Sequence, residues 1–224
     1  MTRSGDREAA VLMRRGIRIF LAGIAKASRA DGRGGERAPD GIPDLVARAW
    51  LDELLAGYRQ APARILKPIA AGAADDLVAA RDIEFTSICR HHLLPFSGKV
   101  HLAYAPRGAV TGLSSLGRLV DCLSRRLQIQ EDLTREIADA LQEHLRPAGA
   151  ACLIEATHTC MTMRGARKTH ARVMTTAFTG RFRRSAAGRR EVLAILGLAG
   201  AGATRARSRG RGGRGTAGRR RSRS

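Results

Sequence analysis

Residues 87–106 read SICRHHLLPFSGKVHLAYAP, and the fold is decided there. Residues 99–105 alternate apolar and polar side chains as a half-buried strand does, with Val100, Leu102 and Tyr104 on one face. Pro106-Arg107-Gly108 then supplies a turn. Just upstream, residues 82–88 (DIEFTSI) alternate in the same way. Between the two strands lies a cluster of ligand-type side chains. Cys89-x-x-His92 offers two soft or borderline donors, and Cys160, in the run EATHTCMTMRG, offers a third. Three protein ligands leave a fourth tetrahedral position for water, the pattern of a catalytic rather than a structural zinc. His91 and His158 stand beside these ligands in sequence. Zinc makes hydroxide near neutral pH and histidine moves protons there, so hydrolytic chemistry is expected.

Working outward, Ser114 reads as the N-cap of a helix with Leu116, Leu119, Val120, Leu123 and Leu127 on one side. A second helix starts near Glu131. Leu133, Ile137, Leu141 and Leu145 recur every four residues, and Pro147-Ala148-Gly149 stops it. Residues 150–157 and 171–179 read as a further pair of strands. The order strand, strand, helix, helix, strand, strand is an α+β pattern: an antiparallel β-sheet with helices on one face. Toward the N-terminus, residues 1–29 are helical in part, and the Gly-, Asp- and Pro-rich residues 30–42 read as a linker. Asp44 is placed to cap a helix over 44–58. Residues 61–80 carry little signal. The expected organisation is an N-terminal helical region (1–60, with the flexible linker), a catalytic domain (61–197) and a disordered Arg/Gly/Ser-rich tail (198–224).

The bulk composition narrows the function. With 224 residues the chain holds one main domain, and no apolar stretch is long enough to span a membrane. The segment MRRGIRIFLAGIAKAS has a basic start and a short apolar run, faintly like a signal peptide. Lys26 interrupts it, and an amphipathic surface helix is the better reading. Four cysteines could form two disulfides in an oxidising compartment. Beside a His-rich motif, metal binding in a reducing cytoplasm is favoured, with Cys122 and Cys152 as small core residues. The net charge is +20, and nine arginines lie between Arg205 and Arg223 with no acid among them. Nucleic acid is therefore a conceivable partner only through this tail, which has no aromatic interleaving. Only four of the 40 basic residues are lysine, a skew that also fits genome base composition.

From about Asp44 to Leu196 the chain resembles GTP cyclohydrolase I. The most specific blocks are SICRHHLLPFSGKVHLAYAP, GLSSLGRLVD, RRLQIQEDLTREIADAL and ATHTCMTMRGARK. The resemblance implies the tunnelling fold and a ring of five subunits, usually two rings stacked as a homodecamer with active sites between subunits. It implies zinc on Cys89, His92 and Cys160. It implies His91 as the acid/base histidine and His158 as a second histidine near the ribose and imidazole ring. Gln130 and Glu131 match the pair at the guanine end, Ser114 a substrate-contacting serine, and Arg118 and Arg164 triphosphate-binding arginines. The reaction implied is zinc-dependent conversion of GTP to 7,8-dihydroneopterin triphosphate and formate, the first step of tetrahydrofolate and pterin biosynthesis.

The chain departs from the family at three points. Arg90 stands where the family has Glu, and Ser115 where it has Lys. The Thr-Pro-x-Arg-Val element is reduced to Ile42-Pro43-Asp44-Leu45-Val46. An arginine beside His91 opposes the imidazolium form that a glutamate would favour. One reading is that Arg90 replaces the phosphate-binding charge lost at Ser115. The competing functional reading is a diverged tunnelling-fold relative, inactive or acting on another purine or pterin.

Overall fold

The alternation around residues 82–105 folds as the central hairpin of a five-stranded sheet. The structure is a computed structural model and describes residues 3–29, 39–72 and 76–198. Its strands are β1 (Ile69–Ala70), β2 (Val78–Cys89), β3 (Pro95–Ala105), β4 (Ala109–Val110), β5 (Leu127–Gln128), β6 (Gly149–His158) and β7 (Val173–Phe178). Its helices are α1 (Arg3–Arg29), α2 (Ile42–Arg48), α3 (Pro62–Ile65), α4 (Leu113–Ser124), α5 (Gln130–Leu145), α6 (Thr159–Thr162), α7 (Gly180–Arg184) and α8 (Ala186–Ile195). The main sheet runs β5-β2-β3-β6-β7, and β1 pairs with β4 apart from it. The β2–β3, β3–β6 and β6–β7 pairs are antiparallel, and only the short β5 runs parallel to β2.

Register follows from which residues must be inside. Phe85 pairs with Gly98, which pairs with Ala156, while Phe96 pairs with both Ser87 and His158. These residues share the face that also carries Val100, Leu102, Tyr104, Cys152 and Ile154. Against it lie Leu116, Leu119, Val120 and Leu123 of α4 and Leu133, Ile137, Leu141 and Leu145 of α5. Each such buried side chain contributes about 1.5–3 kcal/mol through removal from water. Cys122 and Cys152 are fully buried, and burial pushes both thiols above the ordinary range. Gly98 permits β3 and β6 to approach, since a Cβ there would lie 2.0 Å from Glu155 O.

Several elements differ from expectation. Both strands of the hairpin are longer, starting at Val78 and Pro95; a bulge between Ala80 and Ile83 breaks the alternation, and Asp82 sits there at φ 57°. The helix expected over 44–58 is three pieces: α2, a π-helical stretch over Ala49–Leu54 and a 3-10 turn over Ala56–Arg59. Gly57 N–H donates to Arg125 O at 3.0 Å, so the chain tightens to reach α4. Gly41, not Asp44, precedes α2, and Asp44 pairs with Arg14 at 3.3 Å. Helices are not confined to one face. Phe182, Val192 and Leu196 from the α7–α8 segment cover Ala103, Ala105, Ala151 and Leu153 on the opposite face. Arginines crowd that segment and hide its three apolar anchors in the sequence. Residues 30–38 of the expected linker (30–42) and 199–224 of the expected tail (198–224) lie outside the described residues, and the linker's last residue, Ile42, already belongs to α2. Among the described residues no helix is long and apolar enough to cross a membrane.

Candidate active site

The site forms where β2 ends, β3 begins and β6 ends. Past Cys89 the backbone turns back sharply. Leu93 N–H donates to Cys89 O at 2.8 Å and Cys89 N–H donates to Leu94 O at 2.9 Å. Leu93 takes the left-handed conformation that such a turn needs, φ 55°. The turn brings Cys89 Sγ to 3.8 Å from His92 Nδ1. Cys160 arrives from elsewhere in the chain. The β3–β6 register sets His158 opposite Phe96, and Thr159 Oγ1 donates to Pro95 O at 2.6 Å. Cys160, one residue further on in α6, thereby joins the turn. One donor atom from each of Cys89, His92 and Cys160 lies within 4.8 Å of the others.

This donor set fits zinc. Bonds of about 2.3 Å to sulfur and about 2.0–2.1 Å to nitrogen in a tetrahedron put neighbouring donors roughly 3.5–3.8 Å apart. The electrostatics point the same way. Burial pushes the Cys160 thiol up, and the adjacent Cys89 pushes it further, because two thiolates side by side repel. A divalent cation held by both sulfurs would remove that penalty and keep them deprotonated.

Behind the three donors sits His158, its ring stacked on Phe96 with centroids 4.5 Å apart and planes at 5°. His158 Nε2 lies 2.7 Å from Gln130 Oε1. Burial lowers the His158 pKa and the nearby Glu131 carboxylate partly offsets this. Gln130 opens α5 and is 1% exposed, whereas Glu131 beside it is exposed and lines a groove of about 690 Å³ along β7 with Thr175 and Arg183. His91 is exposed on the turn, its ring 6.2 Å from that of His92. Arg164 lies close enough to Cys160 to favour its thiolate. Arg90, the departure from the family's Glu, turns to the start of α5. Its Nη1 is 3.9 Å from Asp132 Oδ2 and its Nη2 donates to Leu127 O at 3.4 Å.

Ser114 and Arg118 do not join this cluster. Ser114 lies inside α4, and Gly112, not Ser114, occupies the N-cap position. Arg118 Nη2 donates to Ser114 Oγ at 3.3 Å and to Ser115 Oγ at 3.5 Å. This first turn of α4 follows Thr111, whose N–H donates to the Tyr104 hydroxyl at the far end of β3. About 30 Å of strand separates Tyr104 from Pro95. One chain therefore gathers Cys89, His91, His92, His158, Cys160, Gln130, Glu131 and Arg164 at one end of the sheet and leaves Ser114 and Arg118 toward the other. Sequence reasoning missed Phe96 as the platform under His158 and Asp132 as the partner of Arg90. Phe96 lies in the quoted block, and only the strand register reveals its neighbour.

Comparison with known proteins agrees with this geometry. The sequence model of GTP cyclohydrolase I matches residues 36–197. GTP cyclohydrolase 1 of Wolinella succinogenes is 46% identical over 164 residues, 71% of this chain and 87% of that one. The Rhodopirellula baltica protein of the same name is 45% identical over 157 residues, 70% of this chain and 68% of that one. GTP cyclohydrolase 1 1 of Pseudomonas aeruginosa is 44% identical over 169 residues, 74% and 91% of the two chains. A Cys-His-Cys cluster on an α+β sheet, inside a match that spans most of the chain, makes this protein a member of the GTP cyclohydrolase I family.

Proposed function

We propose that the chain converts GTP to 7,8-dihydroneopterin triphosphate with release of formate. The observation that carries this reading is the convergence of Cys89, His92 and Cys160 within 4.8 Å, beside His158 and Glu131, in a chain of this family. Cys89, His92 and Cys160 would hold zinc. A bound zinc supplies Lewis-acid activation of water near neutral pH. Thiolate ligands require reducing conditions, which favours a cytoplasmic location.

The side chains divide the remaining work. Glu131 accepts from the ring N–H and the exocyclic amine of guanine together. Arg118 and Arg164 hold the triphosphate through charge-assisted hydrogen bonds. His91 protonates a nitrogen of the five-membered ring after water has added at C8, so that the ring opens. A second hydrolysis releases the former C8 as formate. His158 and Ser114 serve the ribose rearrangement, and the closing condensation returns one of the two waters consumed.

Ser114 and Arg118 can reach the same nucleotide only from another copy of the chain. The sheet offers the means. The outer edge of β2, apart from its short pairing with β5, and the outer edge of β7 are unpaired among the described residues, and a groove between α5 and β7 follows the second edge. Joining the β2 edge of one copy to the β7 edge of the next gives a head-to-tail ring. A pentamer, stacked in pairs as a decamer, is the assembly we assign. The test is purified, zinc-quantified protein with GTP, followed for formate and for pterin fluorescence after oxidation. Zinc-loaded protein that yields neither would overturn the reading.

A further inference from the structure

The environment of Gln130 fixes which nitrogen of His158 carries the proton. Gln130 Nε2 lies 3.2 Å from Ile154 O, 3.0 Å from Val173 O and 3.1 Å from Thr175 Oγ1. Two of these are carbonyl oxygens, which only accept. The third is made an acceptor by its own neighbours. Thr134 Oγ1 donates its single proton to Gln130 O at 2.7 Å. In the 2.6 Å contact between Thr134 and Thr175, the proton must then come from Thr175. Thr175 Oγ1 is thus left to accept from Gln130. A flipped amide would set Oε1 against two carbonyl oxygens, so Oε1 faces His158. His158 Nε2, 2.7 Å from that oxygen, has to be the donor.

We infer that Gln130 is a positioning residue that holds neutral His158 as the Nε2–H tautomer, so that Nδ1 is the ring nitrogen free to accept a proton or a substrate hydrogen bond. The stacked Phe96 fixes the plane of the ring and Gln130 fixes its protonation pattern. Among the described residues Nδ1 makes no hydrogen bond. Gln130, 1% exposed and with its amide nitrogen spent on strands β6 and β7, acts through His158 and not through a side-chain contact to the base. The catalytic part of this inference rests on the proposed GTP chemistry; the tautomer does not.

The experiment uses zinc-loaded, ¹⁵N-histidine-labelled protein and solid-state NMR, with His158 assigned by its loss in His158→Asn. Wild type is expected to show a protonated Nε2 and a bare Nδ1. A protonated Nδ1 with a bare Nε2 overturns the inference, whether or not the protein turns over GTP. In Gln130→Met the Nε2–H preference is expected to be lost. The value of kcat should fall about a hundredfold while KM for GTP stays within about threefold, the pattern of a mispositioned acid or base. An unchanged kcat, or a loss confined to KM, overturns the positioning role. Should the Met variant fail to fold, the wild-type spectrum still decides the tautomer. If wild type shows Nε2–H yet makes no formate, the proposed reaction fails and the tautomer stands.

Discussion

The two ends of the sheet are built on opposite plans. At the β2–β3 turn, donors from distant parts of the chain converge, and the surrounding polar groups are paired: Gln130 with His158 and two carbonyls, Arg90 with Asp132, Thr159 with Pro95. At the start of α4, Arg118 faces two serine hydroxyls and has no carboxylate within ion-pair distance among the described residues. The first end carries the three metal-type donors and the Glu131 carboxylate; the second carries an arginine paired only with hydroxyls among the described residues. A helical rise of about 1.5 Å per residue carries Ser114 roughly 15 Å or more from the α4 end nearest Cys89. The contrast supports the proposed assembly, in which unlike ends of two copies form one site.

Breaking the metal end should have the largest effect. Cys160→Ala is expected to abolish both zinc retention and turnover; metal analysis after gel filtration and a formate assay check it, and a zinc-replete, active variant would remove the metal centre from the account. Next comes a mixing test. Assayed at GTP far below the KM of Arg118→Ala, where neither parent turns over appreciably, Cys160→Ala and Arg118→Ala subunits, unfolded and reassembled together, should regain activity in roughly a quarter of their sites if each site draws on two neighbours. No recovery would mean that both residues serve one chain.

Arg118→Ala alone should raise KM for GTP about 10–100-fold, the loss of a charged hydrogen bond of about 1.5–3 kcal/mol, with a smaller effect on kcat. Arg90→Glu would set two acids face to face at the α5 N-terminus. Both partners are part-exposed, so the cost should stay below about 1 kcal/mol and be reversed in Arg90→Glu/Asp132→Arg. Tighter GTP binding in the single variant would exclude any phosphate role for Arg90.

The smallest expected effect lies between the two ends, at His101. Burial lowers its pKa, Arg81 and Lys99 lower it further, and Asp82 and Glu155 oppose them. Asp82 N–H donates to its Nδ1 at 3.3 Å, which also favours the neutral ring. The unfolded chain then binds the extra proton below about pH 6.5, so this contribution is complete above that pH. It is lost as pH falls from there toward the folded-state pKa. Thermal melts from pH 7 to 5 should show a shallower decline in His101→Gln than in wild type; equal slopes would remove His101 from the pH response.

Legibility in the sequence followed the strength of local signals. Alternation at 82–88 and 99–105 and the four-residue repeat from Leu133 to Leu145 are strong patterns, and each lies within an element of the expected type, the two strands being longer than the patterns. Segment 180–196 has its apolar anchors at Phe182, Val192 and Leu196, spaced too widely among arginines to stand out. Ser114 looked like a cap because Ser is a good one, but the backbone starts the helix two residues earlier, with Gly112 at the cap. The cluster of Cys89, His92 and Cys160 was legible from residue type and from family blocks. The partners of Gln130 were not, because Ile154, Val173 and Thr175 become its neighbours only through the β6–β7 register.

By itself, then, the amino-acid order determined the α+β class, the donor types for a divalent metal and the family. Those depend on side-chain chemistry and short-range periodicity, which a linear string carries. The tertiary structure decided which end of the sheet each residue occupies, which face α7 and α8 cover, and which ring nitrogen of His158 holds its proton. Those depend on strand register and on competition for hydrogen bonds in a buried space, and neither exists until distant segments meet.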